Sequence, residues 1–184
     1  LLEAHDVYAA ALAAFPGSTE LRRAAGRLSV QLKRYDDAIE PLSQAVALRS
    51  NDAEALYYLG LAHLAAGDTQ KARIAFDQAA TLPGWRGPSL LQLGRLAASS
   101  NRAEGLRVVQ AALAAAPEML RAGGFEVALL RSLGRTAEAR ARLAHWQALD
   151  PPSSFLRHEA VRLGGSDEAL WVHVAADPER VIEL

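Results

Sequence analysis

The sequence predicts an all-α fold, a right-handed solenoid of antiparallel helix pairs stacked side by side. Three observations predict it. Apolar residues recur at helical spacing along most of the 184 residues. The order of large and small residues repeats every 34 positions. Glycine, proline and capping polar residues stand where each helix has to stop and the next begin.

Composition agrees. The chain is 51% hydrophobic, 22% charged and 6% aromatic, which suits a folded chain and not a disordered one. Its 39 alanines favour helices that approach closely. Arginine supplies 18 of the 20 basic residues, a bias that reads as codon usage rather than function. There is no cysteine, so disulfides, thiolate metal sites and cysteine nucleophiles are excluded. The net charge of -1 and pI of about 6.6 argue against a protein held to nucleic acid by a basic surface. No apolar stretch approaches the roughly 18 to 20 uncharged residues of a membrane span. The absence of cysteine fits the cytoplasm. Leu1 is not a methionine, and the pattern of Val181, Ile182 and Leu184 breaks off in mid-helix, so a fragment of a longer protein is expected.

Taken in order, Leu2 to Ala14 read as a helix with Val7, Tyr8, Ala11, Leu12 and Phe15 near one face. Counting Ala53 as position 1, Leu56, Leu59, Gly60 and His63 fall at positions 4, 7, 8 and 11. Ala72, Phe76 and Ala79 fall at 20, 24 and 27, and Pro83 at 31. One period earlier, Ala25, Gly26, Ala38, Leu42 and Ala45 occupy positions 7, 8, 20, 24 and 27. Asn51 or Asp52 is placed to cap the helix that starts near Ala53; Gly67 closes it, and Asp68 or Thr69 caps the next. Pro83 and Pro88 bracket Gly84-Trp85-Arg86-Gly87, read as a loop, with Trp85 folded over the seam between units.

A third unit follows with Leu90, Leu93 and Gly94 at positions 4, 7 and 8, and a turn one residue short that puts Gly105, Val109 and Ala112 at 20, 24 and 27. In a fourth, Gly134 with Thr136 repeats the Gly67 arrangement, but Gly123 and Gly124 stand where a large residue is expected, and Trp146 replaces the small residue at 27. Ser153 or Ser154 is placed to cap a helix from Phe155 to Leu163. Gly164-Gly165 stops it, and Ser166 and Asp167 open another carrying Leu170, Trp171 and Val174. The domain pattern is therefore a partial unit over 1–18, full units over 19–52 and 53–86, degenerate units over 87–117 and 118–151, and a truncated helical pair over 152–184.

These residues resemble the tetratricopeptide repeat, a helix-turn-helix unit with large residues at positions 4, 7, 11 and 24, small ones at 8, 20 and 27, and proline near 32. The resemblance implies a protein–protein interaction scaffold, not an enzyme, that takes a peptide or partner domain in its concave groove. The first helix of each repeat lines that groove through positions 2, 5, 9, 12 and 13. Carried across, these positions give a partner-binding set of Arg23, Arg27, Tyr57, Leu61, Leu91, Arg95, Arg121 and Arg131. With few acids expected opposite the arginines, an acidic or amphipathic peptide is the expected partner; self-association is a further option. The Lys and Asn constellation by which chaperone-binding members grip a C-terminal carboxylate is missing: Arg23, Arg27, Tyr58, Pro88 and Gln92 stand in its place. The stretch from Asp150 to Glu159 also resembles a segment of large bacterial repeat proteins that carry a carbohydrate-associated domain. This suggests the alternative of a spacer that packs on such a neighbour.

No chemistry competes with that reading. His5, His63, His145, His158 and His173 form no HExxH pair, and His63 stands where an aromatic residue normally packs. There is no P-loop, GxGxxG or GxSxG, and the acidic residues are spread as solvated helix faces with no acid–base pair among them. No catalytic residue, cofactor or metal is expected, and no nucleic acid or membrane partner.

Overall fold

The structure, a computed structural model, describes residues 7–8, 10–12, 14–151 and 153–164. Residues 7, 8, 10–12 and 14 are helical. Nine complete helices follow among the described residues: α1 (Thr19–Gln31), α2 (Tyr35–Leu48), α3 (Ala53–Ala65), α4 (Thr69–Ala80), α5 (Arg86–Ser100), α6 (Arg102–Ala115), α7 (Leu120–Ser132), α8 (Thr136–Leu149) and α9 (Ser154–Arg162). None of the described residues forms a strand. The helix expected around Leu170, Trp171 and Val174 lies outside the described residues. The chain divides into two compact units, Leu1–Leu96 and Ala97–Leu184, with the division inside α5.

In the first unit α1 packs on α2, α2 on α3 and α3 on α4, and α1 also touches α3 directly. α3 thus meets its own partner α4, the preceding second helix α2 and the preceding first helix α1. Ala38, Leu42, Ala45, Ala55, Leu59 and Ala62 form a buried cluster, with Val30, Ile39, Val46 and Tyr58 packed against it. Small residues make the close approach possible. A Cβ on Gly26 would overlap the Leu42 side chain, and one on Gly60 would lie 2.6 Å from the Phe76 ring. Position 24 therefore lies across position 8 in both full units, which is why the large and small residues keep the same phase.

Caps set the helix starts. Ser18, Asp52 and Asp68 accept from the backbone N–H of Leu21, Ala55 and Lys71 at 3.2, 3.0 and 3.1 Å. Each such cap stabilises its helix by about 1 kcal/mol. Gly67 closes α3 with φ at +83°. The matching turn residue of the first pair is Lys33, which adopts φ of +60° without glycine's freedom. The expected loop over Gly84–Gly87 is shorter than the sequence suggests, because α5 begins at Arg86 and includes Pro88. The Trp85 carbonyl already accepts from the Ser89 N–H at 3.0 Å. Proline in the first turn costs little, since an N–H there has no intrahelical partner to lose.

In the second unit α6 packs on α7, α7 on α8 and α8 on α9, and α9 also touches α7. Asn101 alone separates α5 from α6. Its side chain accepts from both Ala103 and Glu104 N–H, at 3.0 and 3.1 Å. So short a turn forces close approach: a Cβ on Gly105 would lie 2.7 Å from the Cα of Ala98. Gly134, with φ of +73°, closes α7 as expected, but Thr136 is not the cap that follows. The cap position is Arg135, which makes no side-chain cap bond and pairs instead with Glu138, Nη2 to Oε2 2.6 Å. Ser153 caps α9 through Leu156 N–H at 3.4 Å, and the Arg140 guanidinium donates to the Leu163 carbonyl at its far end at 2.7 and 3.3 Å.

The departures in the fourth unit form one compensated exchange. Trp146, nearly fully buried, lies over Gly123, where any Cβ would fall inside the indole. The large residue has moved from position 4 of the first helix to position 27 of the second. The indole N–H needs an acceptor, and buried Glu126, at a position normally apolar, accepts from it at 3.4 Å. Arg142 balances that carboxylate through Nε at 2.7 Å, with its guanidinium 5.2 Å from the indole centroid. Gly124 does the same service next door, leaving room for Phe155 of α9.

Candidate interaction surface

The surface nominated by the sequence consists of the first helices α1, α3, α5 and α7. Within the first unit they are joined by polar contacts from one first helix to the next. Arg23 of α1 donates from Nη1 to Asp52 Oδ2 at 3.1 Å and lies 3.3 Å through Nε from Glu54 Oε2. Arg27, one turn on, donates from Nη1 to the other oxygen of Glu54 at 2.8 Å. On the same face Tyr57 of α3 accepts through its hydroxyl from Gln92 of α5 at 3.2 Å. The second unit has an equivalent rung, where Arg131 of α7 donates from Nε and Nη2 to the two oxygens of Glu159 of α9 at 2.7 and 3.2 Å.

These rungs correct one expectation. The arginines of the nominated set do not face an acid-free surface: Arg23, Arg27 and Arg131 each have a carboxylate of the chain itself. The acids lie on, or one residue before, the following first helix, 27 to 29 residues downstream. That offset, about one repeat less one to two helical turns, is the sequence signal that would have found them. Glu159 is only 3% exposed, and its hydrogen bonds hold the Arg131 guanidinium above its usual pKa against the effect of burial. Asp52 combines its cap with the Arg23 pair and is equally deep, at 2%.

The remaining residues divide. Leu91 is 4% exposed and belongs to the core, so it offers no contact surface, contrary to its place in the nominated set. Leu61 and Tyr57 are half-buried on α3. Arg95 and Arg121 are exposed on α5 and α7. The sequence reading did not anticipate the aromatic group around Tyr57: its ring centroid lies 5.6 Å from Tyr58, 5.7 Å from Phe76 and 5.0 Å from Trp85. Trp85 also reaches Tyr58 at 6.1 Å, which seats it on α3. Burial raises the pKa of the Tyr58 hydroxyl, Arg27 opposes the rise, and Glu54 and Tyr57 add to it, so this tyrosine belongs electrically to the Arg27–Glu54 rung. His63, at the end of α3, has its pKa lowered by burial and by Lys71, against the pull of Asp68.

Among the described residues, no group of three or more histidine, aspartate and glutamate side chains is placed to hold a metal. No helix there is long and apolar enough to cross a membrane.

Comparison with known proteins agrees with this architecture. The sequence model of the tetratricopeptide repeat matches residues 1–53 and 25–84. No curated protein is significantly similar in sequence. Among solved structures, MamA superposes with a TM-score of 0.71 at 23% identity over 80% of this chain and 87% of its own. A thermophilic TPR protein of Thermus thermophilus gives 0.70 at 22% identity over 87% and 88%. YrrB, described as a TPR protein with an unusual peptide-binding site, gives 0.64 at 16% over 95% and 94%. At these identities the structural likeness establishes the fold. Proteins of this repeat family are generally non-enzymatic scaffolds that bind other proteins or peptides. The first 84 residues therefore carry tetratricopeptide repeats, and the chain shares the fold of tetratricopeptide-repeat structures across most of its length.

Proposed function

We propose that the chain is an interaction scaffold that receives a peptide segment of a partner protein on the first-helix face of its first unit. One observation carries this reading. α1 and α3 lie directly against each other, and α3 is tied to α5 through Tyr57 and Gln92, so their side chains make one uninterrupted surface. That surface combines half-buried Tyr57, Tyr58 and Leu61 with half-exposed Arg27 and its more deeply set partner Glu54. Rigid aromatic side chains give contact area at small entropic cost, and charged groups beside them fix register. The in-chain acids shift the expected partner from a strongly acidic segment to an amphipathic one. The peptide site that gives YrrB its description supports the reading by analogy of fold.

The test is selection of peptides from a random display library against the whole chain, with affinities then measured by fluorescence anisotropy. Leu61→Glu puts a charge in the middle of the surface and is expected to weaken the selected peptides at least about 10-fold, close to 1.4 kcal/mol. Its circular dichroism should match the parent. Peptides that bind Leu61→Glu as well as they bind the parent would place the binding surface elsewhere.

A further inference from the structure

We infer that Arg27 is the cation this face offers to a partner, with Glu54 occupying its guanidinium until a carboxylate of the partner takes its place. The inference rests on the interaction surface proposed above and names the chemistry that the surface selects: an aspartate or glutamate next to an apolar residue.

Comparison of the three paired arginines leads to Arg27. Withdrawing Arg131 would take both guanidinium hydrogen bonds from Glu159, a carboxylate 3% exposed, and leave it only Arg162 at 4.0 Å. Withdrawing Arg23 would strand Asp52, which is as deeply buried and also caps α3. Leaving an unpaired charge in such a place is strongly unfavourable, so both arginines are fixed braces. Arg27 differs in each respect. Its side chain is 44% exposed, it has one carboxylate partner among the described residues, and it reaches that partner from a single nitrogen. Glu54, once released, keeps Arg23 Nε at 3.3 Å on its other oxygen, so no charge is abandoned.

Exchange of one carboxylate for another on a half-exposed guanidinium costs little, because such pairs contribute little to begin with. The incoming group can gain where Glu54 does not. Glu54 takes one hydrogen bond from Arg27, whereas a carboxylate free to orient can accept two in parallel. Tyr58 fixes what should stand beside it. It lies one helical turn after Glu54 on α3 and its ring packs on Trp85, so an apolar ledge adjoins the exchangeable cation. Glu54 thereby acts as a built-in competitor that excludes acids lacking an apolar neighbour to offset its displacement.

The experiment uses the display-selected peptides described above, bound to the whole chain. Acidic residues adjoining an apolar one should be enriched among them. Arg27→Ala should weaken binding about 10-fold, and Arg27→Lys should fall between, since it keeps the charge and loses the planar fork. Glu54→Gln should tighten binding about 3-fold by removing the competitor, a gain that general damage to the fold would not produce. Arg73→Ala, exposed on α4, should leave affinity unchanged. Peptides that respond to Leu61→Glu but not to Arg27→Ala, or that bind Glu54→Gln more weakly, would overturn the inference and leave the surface standing. Peptides indifferent to Leu61→Glu would remove the surface and the inference with it.

Discussion

Trp146→Ala is expected to destabilise the second unit by about 3–5 kcal/mol, the usual cost of truncating a large buried aromatic residue. The indole fills the space left by Gly123 and donates to Glu126, so its loss opens a cavity and removes a hydrogen bond from a buried carboxylate. What distinguishes this prediction from ordinary core truncation is its repair. Gly123→Leu alone should be as disruptive as Trp146→Ala, because its side chain would occupy the indole's volume. The two substitutions together restore the repeat's ordinary distribution, large at position 4 and small at 27. The double variant should recover about 1–3 kcal/mol relative to the sum of the single effects. Urea denaturation of the four proteins of the cycle measures this; strictly additive losses would show that the exchange is not a coupled one.

Gly105→Ala should cost about 3 kcal/mol, more than an added methyl group usually does in a core. The methyl would press on the backbone of Ala98 across the single-residue turn at Asn101, and backbone on both sides leaves no side chain to swing away. At Gly26 and Gly60 the opposing atoms belong to the Leu42 and Phe76 side chains, which have some freedom to shift, so alanine there should cost less. Lengthening the Asn101 turn by two residues, to the three found between α3 and α4, should relieve the strain and make Gly105→Ala close to neutral. Thermal denaturation of the short-turn and long-turn pairs would show it. Equal penalties in both would mean that turn length is not what confines Gly105.

The sequence showed clearly those features that repeat. The 34-residue phase gave the positions of Gly26 beneath Leu42 and Gly60 beneath Phe76, because a close helix approach requires small residues at fixed points. Asp52 and Asp68 could be read as caps because capping is a local event, three residues long. The compensated exchange around Trp146 was visible only as two anomalies, since position 4 and position 27 lie on different helices and neither residue indicates the other. The arginine rungs were hidden for a related reason. Helical-face reasoning places Arg23, Arg27 and Arg131 on the groove side, but their acids belong to the next repeat, where Asp52 reads as a cap, Glu54 as one more groove position and Glu159 as part of a tail. Leu91 was misplaced by the same reasoning: its position faces the groove in an ideal repeat, yet here it is buried.

The binding account is tested most directly by amide and methyl chemical-shift mapping of a selected peptide on the isotope-labelled chain. The largest saturable shifts are predicted on α1 and α3, around Arg27, Tyr57, Tyr58 and Leu61. Shifts confined to the outer faces of α2 and α4 would contradict it and would instead favour a spacer whose first helices are not used for recognition.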